Sequence, residues 1–106
     1  MRGNTYSVKV DTDVTLRGLI ARLDEFGEDE TIYADSATPT ARAVVATEPD
    51  DGSAPVPGLE YLLEIAAARE AIEVWQAWRP GREPTLEDKL EAVLYYAQND
   101  AWLPAE

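Results

Sequence analysis

The chain contains no cysteine and no histidine. Without a thiolate or an imidazole it has no nucleophilic Cys, no imidazole base to activate Ser7, Ser36 or Ser53, and no donor set for a zinc site. Disulfides are excluded as well, although a lack of cysteine assigns no compartment. Lysine is scarce: Lys9 and Lys89 stand beside seven arginines. The six glycines are scattered and build neither a P-loop nor a dinucleotide fingerprint. No apolar run approaches the roughly 20 residues that cross a bilayer. Met1 to Val10 lacks the apolar h-region of a signal peptide. These absences lead to the expectation of a cytoplasmic, non-membrane protein with no cofactor and no metal, and not an enzyme.

Acid is abundant. Twenty-one Asp and Glu face nine Lys and Arg over 106 residues, for a formal net charge of −12 and a pI near 4.2. Nucleic acid is not expected as a direct partner, because counterion release from phosphates needs concentrated Lys and Arg. A basic protein fits better, since complementary charge speeds encounter and filters partners. Acidity spread over the whole surface, for solvation or for a salt-rich cytoplasm, is the plainer explanation of the same count. Hydrophobic residues make up 45% of the chain, with three Trp and five Tyr, enough for a core and against global disorder. The length fits one domain, 1–106, with 1–12 as a flexible or edge-strand segment.

Periodicity orders the elements. Tyr6, Val8 and Val10 alternate with polar residues, as in a half-buried strand or an untethered tail. Thr15 is an N-cap, with Val14 and Leu19 at staple spacing. Leu16, Leu19, Ile20, Leu23 and Phe26 form the stripe of a helix that Gly27 stops. Thr31–Ala34, Arg42–Thr47 and Leu59–Ile65 read as strands. Between the last two, Glu48–Gly58 is a loop rich in Pro, Gly and acid. By parity Glu60, Leu62 and Glu64 share one side of the third strand, and Tyr61, Leu63 and Ile65 the other. Ala66–Arg79 follows as a helix with Ala68, Ala71, Ile72, Trp75 and Trp78 on its core face. Pro80-Gly81 ends it. Thr85 caps a last helix whose stripe is Leu86, Leu90, Val93, Leu94 and Ala97, with Glu87 and Asp88 at the positive end of its dipole. Asn99-Asp100 breaks that helix, and Trp102-Leu103-Pro104 folds back as an apolar lid. The order (β)αβββαα, with short loops between strands, predicts an α+β two-layer domain. A three-stranded or four-stranded antiparallel sheet would be covered on one face by about three helices.

Three functional readings follow. The first is a small protein-interaction module, of antitoxin, immunity or inhibitor type, docking a basic partner. It would use Asp24, Glu25, Glu28, Asp29 and Glu30 with Tyr95 or Tyr96 as an aromatic anchor, because Tyr is enriched in hot spots. Tyr95 and Tyr96 lie about 100° apart on a helix, so one of them leaves the core. The second is a small-ligand or regulatory domain with a pocket lined by Trp75, Trp78, Tyr95, Asp100 and Trp102. The third is a carboxylate enzyme needing two close, buried acids, for which Glu60, Glu64 and Asp100 are candidates. Neither the Asp24–Glu30 run nor Glu48, Asp50 and Asp51 has the spacing of a calcium loop, and both read as solvated surface. Arg69 and Glu73 stand at i, i+4 for a surface ion pair, and Arg79 is a candidate clamp for an anion. An edge strand would also admit a symmetric homodimer.

The segment Leu59–Pro104 pairs a YLLE strand with an EVWxxW helix and a closing YYAxNDAxLP run. It resembles a family of small, acidic, uncharacterised prokaryotic proteins, and Leu16–Tyr33 fits the same pattern. The resemblance implies no catalytic residue and no cofactor.

Overall fold

The computed structural model describes residues 15–47 and 57–104. In chain order these form α1 (Leu16–Ala21), a 3₁₀ turn (Leu23–Glu25), β1 (Glu30–Ala34), β2 (Ala43–Thr47), β3 (Glu60–Glu64), α2 (Ile65–Ala77) and α3 (Leu86–Asn99). The strand candidate at Tyr6–Val10, the staple residue Val14 and the acids Glu48, Asp50 and Asp51 lie outside the described residues.

Thr15 starts α1 as expected: its hydroxyl accepts from the Gly18 amide at 3.1 Å. The first-turn amides of Leu16 and Arg17, which have no partner within a helix, donate to the carbonyls of Ala41 and Pro39, each at 2.9 Å. The loop before β2 therefore caps α1, and an isolated antiparallel bridge joins Thr15 to Arg42. The single helix expected from Leu16 to Phe26 is broken. Arg22 leaves the helical region at φ −114° and ψ 24°, and the chain tightens into the 3₁₀ turn. Leu23 and Phe26 still reach the core, because the tighter winding keeps them on the buried side.

Among the described residues the sheet is three-stranded and antiparallel, in the order β2-β1-β3. The β1–β2 connection is closed by Asp35, whose amide donates to the Arg42 carbonyl while its carboxylate accepts from the Arg42 amide, both at 3.1 Å. Ile32, Ala34, Ala43, Val45 and Leu63 face the helices and share one core with Leu16, Leu19, Ile20, Ile65, Ala68, Leu90 and Val93. Burying a Leu or Ile side chain fully stabilises by roughly 1.5–3 kcal/mol. On the other face Tyr33, Val44, Ala46 and Leu59 make a second, smaller cluster.

The parity expected for β3 fails at Leu62. Ile32 pairs with Leu63 and Tyr33 with Tyr61, so one residue of β3 is extra and the strand carries a bulge. Tyr61 consequently joins Tyr33 on the outer face while Leu63 stays on the helix side, and Glu60 and Glu64 no longer share a side. Ile65, expected at the end of this strand, begins α2 instead.

α2 buries Ile65, Ala68, Ala71 and Trp75. It ends at Ala77, before Trp78 can follow the stripe, so Trp78 becomes the C-cap and lies 46% exposed, not in the core. Gly81, at φ +80°, reverses the chain towards α3 in a conformation that an L side chain resists. α3 opens with a capping box in which the Thr85 hydroxyl accepts from the Asp88 amide at 3.1 Å and the Asp88 carboxylate accepts from the Thr85 amide at 3.0 Å. Leu90, Ala92 and Val93 are buried, and Leu86, Leu94 and Ala97 pack beside them. Trp102 folds back onto the core and stacks on Tyr96, with centroids 4.7 Å apart. No helix among the described residues is long and apolar enough to cross a membrane.

Candidate functional site

The five acids of the expected acidic face differ in exposure. Asp24, Glu25, Glu28 and Asp29 are exposed, but Glu30 is only 6% exposed. As the first residue of β1 it turns inward, and its carboxylate accepts from the Gly27 amide at 2.8 Å, closing the turn that feeds the strand. Glu25 pairs with Arg22 at 3.2 Å, and Glu28 with Arg69 at 3.7 Å. Arg17 pairs with Glu87 at the start of α3. Exposed acids occur on the 3₁₀ turn, β3, α2 and α3 alike.

Arg69 does not form the expected pair with Glu73. It reaches across to the 3₁₀ turn and donates to the carbonyls of Leu23, at 3.3 Å, and Phe26. These carbonyls end a short helical turn and need outside donors, so the guanidinium acts there as a clamp. Its Nε is buried with no hydrogen-bond partner.

Of the aromatic residues proposed for a pocket, Trp75 is buried, Trp78 is exposed, and Tyr95 and Trp102 are half-buried. Trp75 is 3% exposed, with the guanidinium carbons of Arg79 and Arg82 at 4.7 and 5.2 Å from its ring centroid. Arg79, proposed as an anion clamp, donates instead to the carbonyls of Trp75 at 3.2 Å and Pro104 at 2.8 Å, tying the C-terminal segment to α2. Tyr95 and Tyr96 are both half-buried, and Tyr96 is the one that stacks on Trp102. Asp100 is the exposed C-cap of α3 at φ 55°, a left-handed position that Asp tolerates. Glu60 and Glu64 are exposed too, so none of the three acids considered for carboxylate catalysis is buried. The described residues hold no group of three or more carboxylates that would bind a metal ion.

Two features stand out instead. One is the β3 edge. Tyr61 is 54% exposed, and its ring meets Tyr33 edge-on, at 6.4 Å between centroids and 87° between planes. Glu60 and Glu64 lie close along the same strand and have no ion-pair partner among the described residues. The other is a cleft of about 300 Å³ between the end of α1, the middle of α2 and the start of α3. Ile20, Leu23 and Ile72 give it an apolar floor. Asp24, Arg69 and Glu73 line it from the 3₁₀ turn and α2; Glu83, Pro84 and Lys89 line it from the α3 side. None of Trp75, Trp78, Tyr95, Asp100 and Trp102 lines this cleft.

Periodicity cannot find either feature. Tyr61 is aimed by a bulge, and the cleft joins residues far apart in the chain. The one sequence signal was the isolation of Lys89 among acids on α3. No family model, no curated protein and no solved structure matches the chain.

Proposed function

We propose that this chain is a small acidic protein-interaction module that docks a basic partner protein, in the manner of an antitoxin, immunity protein or inhibitor. The observation that carries the reading is Tyr61, a large aromatic left 54% exposed on β3, an edge strand among the described residues, with Glu64 on the same face of the sheet and without an ion-pair partner among them. The edge-on contact with Tyr33 holds its ring, so an incoming surface orders little on binding. Glu64 complements Lys or Arg on the partner, and the net charge of −12 steers its approach. Tyr61 therefore takes the anchor role first given to Tyr95 or Tyr96, which are half-buried.

The test is affinity capture from source-cell lysate at low and high salt, with wild type, Tyr61→Ala and Tyr95→Ala compared by mass spectrometry. The expected result is a basic protein held at low salt and released at high salt. Tyr95→Ala should retain it. Tyr61→Ala should weaken its binding by about 2 kcal/mol, or about 30-fold, as hot-spot truncations do. Capture that Tyr61→Ala leaves unchanged, or no captured protein at all, would overturn the reading.

A further inference from the structure

The cleft between α1, α2 and α3 has a charge arrangement that packing does not explain. Lys89 lines it together with the carboxylates of Asp24, Glu73 and Glu83. None of these four makes an ion pair with another described residue. A flexible lysine beside three carboxylates ordinarily closes on one of them where the geometry permits. Here opposite charges border one concavity and stay apart. Arg69, the other cation of the lining, is already committed to the Leu23 and Phe26 carbonyls and to Glu28. Lys89 is thus the cation that the cleft offers to a ligand.

The lining narrows the chemistry of that ligand. A phosphate or other polyanion meets one available ammonium and three carboxylates. A bare metal ion finds no group of three ligating side chains among the described residues. A neutral apolar molecule would cover Ile20, Leu23 and Ile72 but strip water from the charges around them, at a cost that no contact returns. A molecule with a carboxylate and an ammonium about an aliphatic body satisfies all parts at once, and the volume lies at the small end of ligand pockets.

We infer that this cleft is a binding site for an amino-acid-sized zwitterion with an aliphatic side chain. The carboxylate of the ligand meets the Lys89 ammonium, its ammonium lies towards Glu73 and Glu83, and its side chain covers Ile20, Leu23 and Ile72. Tyr61 is not part of this lining, so the site is independent of partner docking.

The test is titration of the full chain by isothermal calorimetry and amide-resolved NMR with three probes: L-leucine, leucinamide, which lacks the carboxylate, and N-acetylleucine, which lacks the ammonium. Leucine should bind saturably with a Kd of about 1 mM or tighter, and each blocked derivative about tenfold or more weaker. Lys89→Met and, separately, Glu73→Gln should each weaken leucine about tenfold, with unchanged far-UV circular dichroism showing that both fold. Tyr61→Ala should bind leucine as wild type does. The inference is overturned by no saturable leucine binding up to about 10 mM, a range that still detects a Kd of a few mM. It is equally overturned by blocked derivatives that bind as well as leucine, or by folded Lys89→Met that binds leucine undiminished.

Discussion

Arg69 joins segments far apart in sequence: its guanidinium donates to carbonyls 46 and 43 residues earlier in the chain. Hydrogen bonds from a charged group are worth about 1.5–3 kcal/mol each, and a truncated donor leaves its acceptors short of partners. Arg69→Ala is expected to lower unfolding free energy by about 2 kcal/mol in urea denaturation. Arg69→Lys should recover only part, because an ammonium cannot span two carbonyls as a planar fork does. A variant as stable as wild type would mean that the carbonyls find water instead. The sequence hid this role, because Glu73 at i+4 offers Arg69 a local partner that the fold then declines. Glu30 was equally hard to place: it stands in a run of acids that otherwise read as surface. Its one signal was the three-residue spacing from Gly27, the reach over which a carboxylate closes on a backbone amide.

Among the elements, α3 was the most legible, and its cap explains why. Thr85 and Asp88 satisfy each other's amides, a device that needs only two residues three apart. Thr85→Ala should cost about 1 kcal/mol, seen as a thermal midpoint lower by about 4–8 °C for a domain of this size. The Asp88 carboxyl is held below the ordinary aspartate range first by the Thr85 backbone amide. Burial opposes that shift, while the Thr85 hydroxyl, Arg82 and Arg79 add to it. Its folded value is depressed, so its contribution is fully present above the ordinary aspartate range and is lost as pH falls through the lowered value. Asp88→Asn should remove that part of the acid dependence in melts taken below the ordinary aspartate range; an unchanged acid limb would assign it to other carboxyls. Elsewhere periodicity found much of the core but not where an element stops. The apolar stripe runs from Leu16 to Phe26 without marking the break at Arg22, and Trp78 keeps helical spacing from Trp75 although α2 has already ended. The bulge at Leu62 was illegible for a similar reason: alternation assumes one residue per rung of the ladder, and an inserted residue leaves no mark in composition.

For the whole molecule, the α+β arrangement and the order of its elements were legible, since strand and helix periods and turn residues are local properties. The cleft was not, because it depends on how α1, α2 and α3 meet. Charge acts at this scale too. Ion pairs among the described residues, at Arg17, Arg22 and Arg69, stand against a formal net charge of −12 for the chain. Like charges held close in the folded state repel one another, and salt screens them over about 10 Å at 0.1 M and about 3 Å at 1 M. The thermal midpoint should therefore rise by several degrees between about 0.01 and about 0.5 M NaCl. A flat or falling midpoint would mean that the few attractive pairs outweigh the repulsion.

The bulge in β3 bears on how copies of the chain behave at high concentration. Fibrils grow when an open strand offers a regular ladder that the next chain can copy rung by rung. A straight strand laid along β3 and matched to the faces of Glu60 and Tyr61 would fall out of phase at Leu63 and Glu64. The rim that displays Tyr61 by its side chain is thus a poor template for its backbone, and growth by strand stacking has nowhere to start along it.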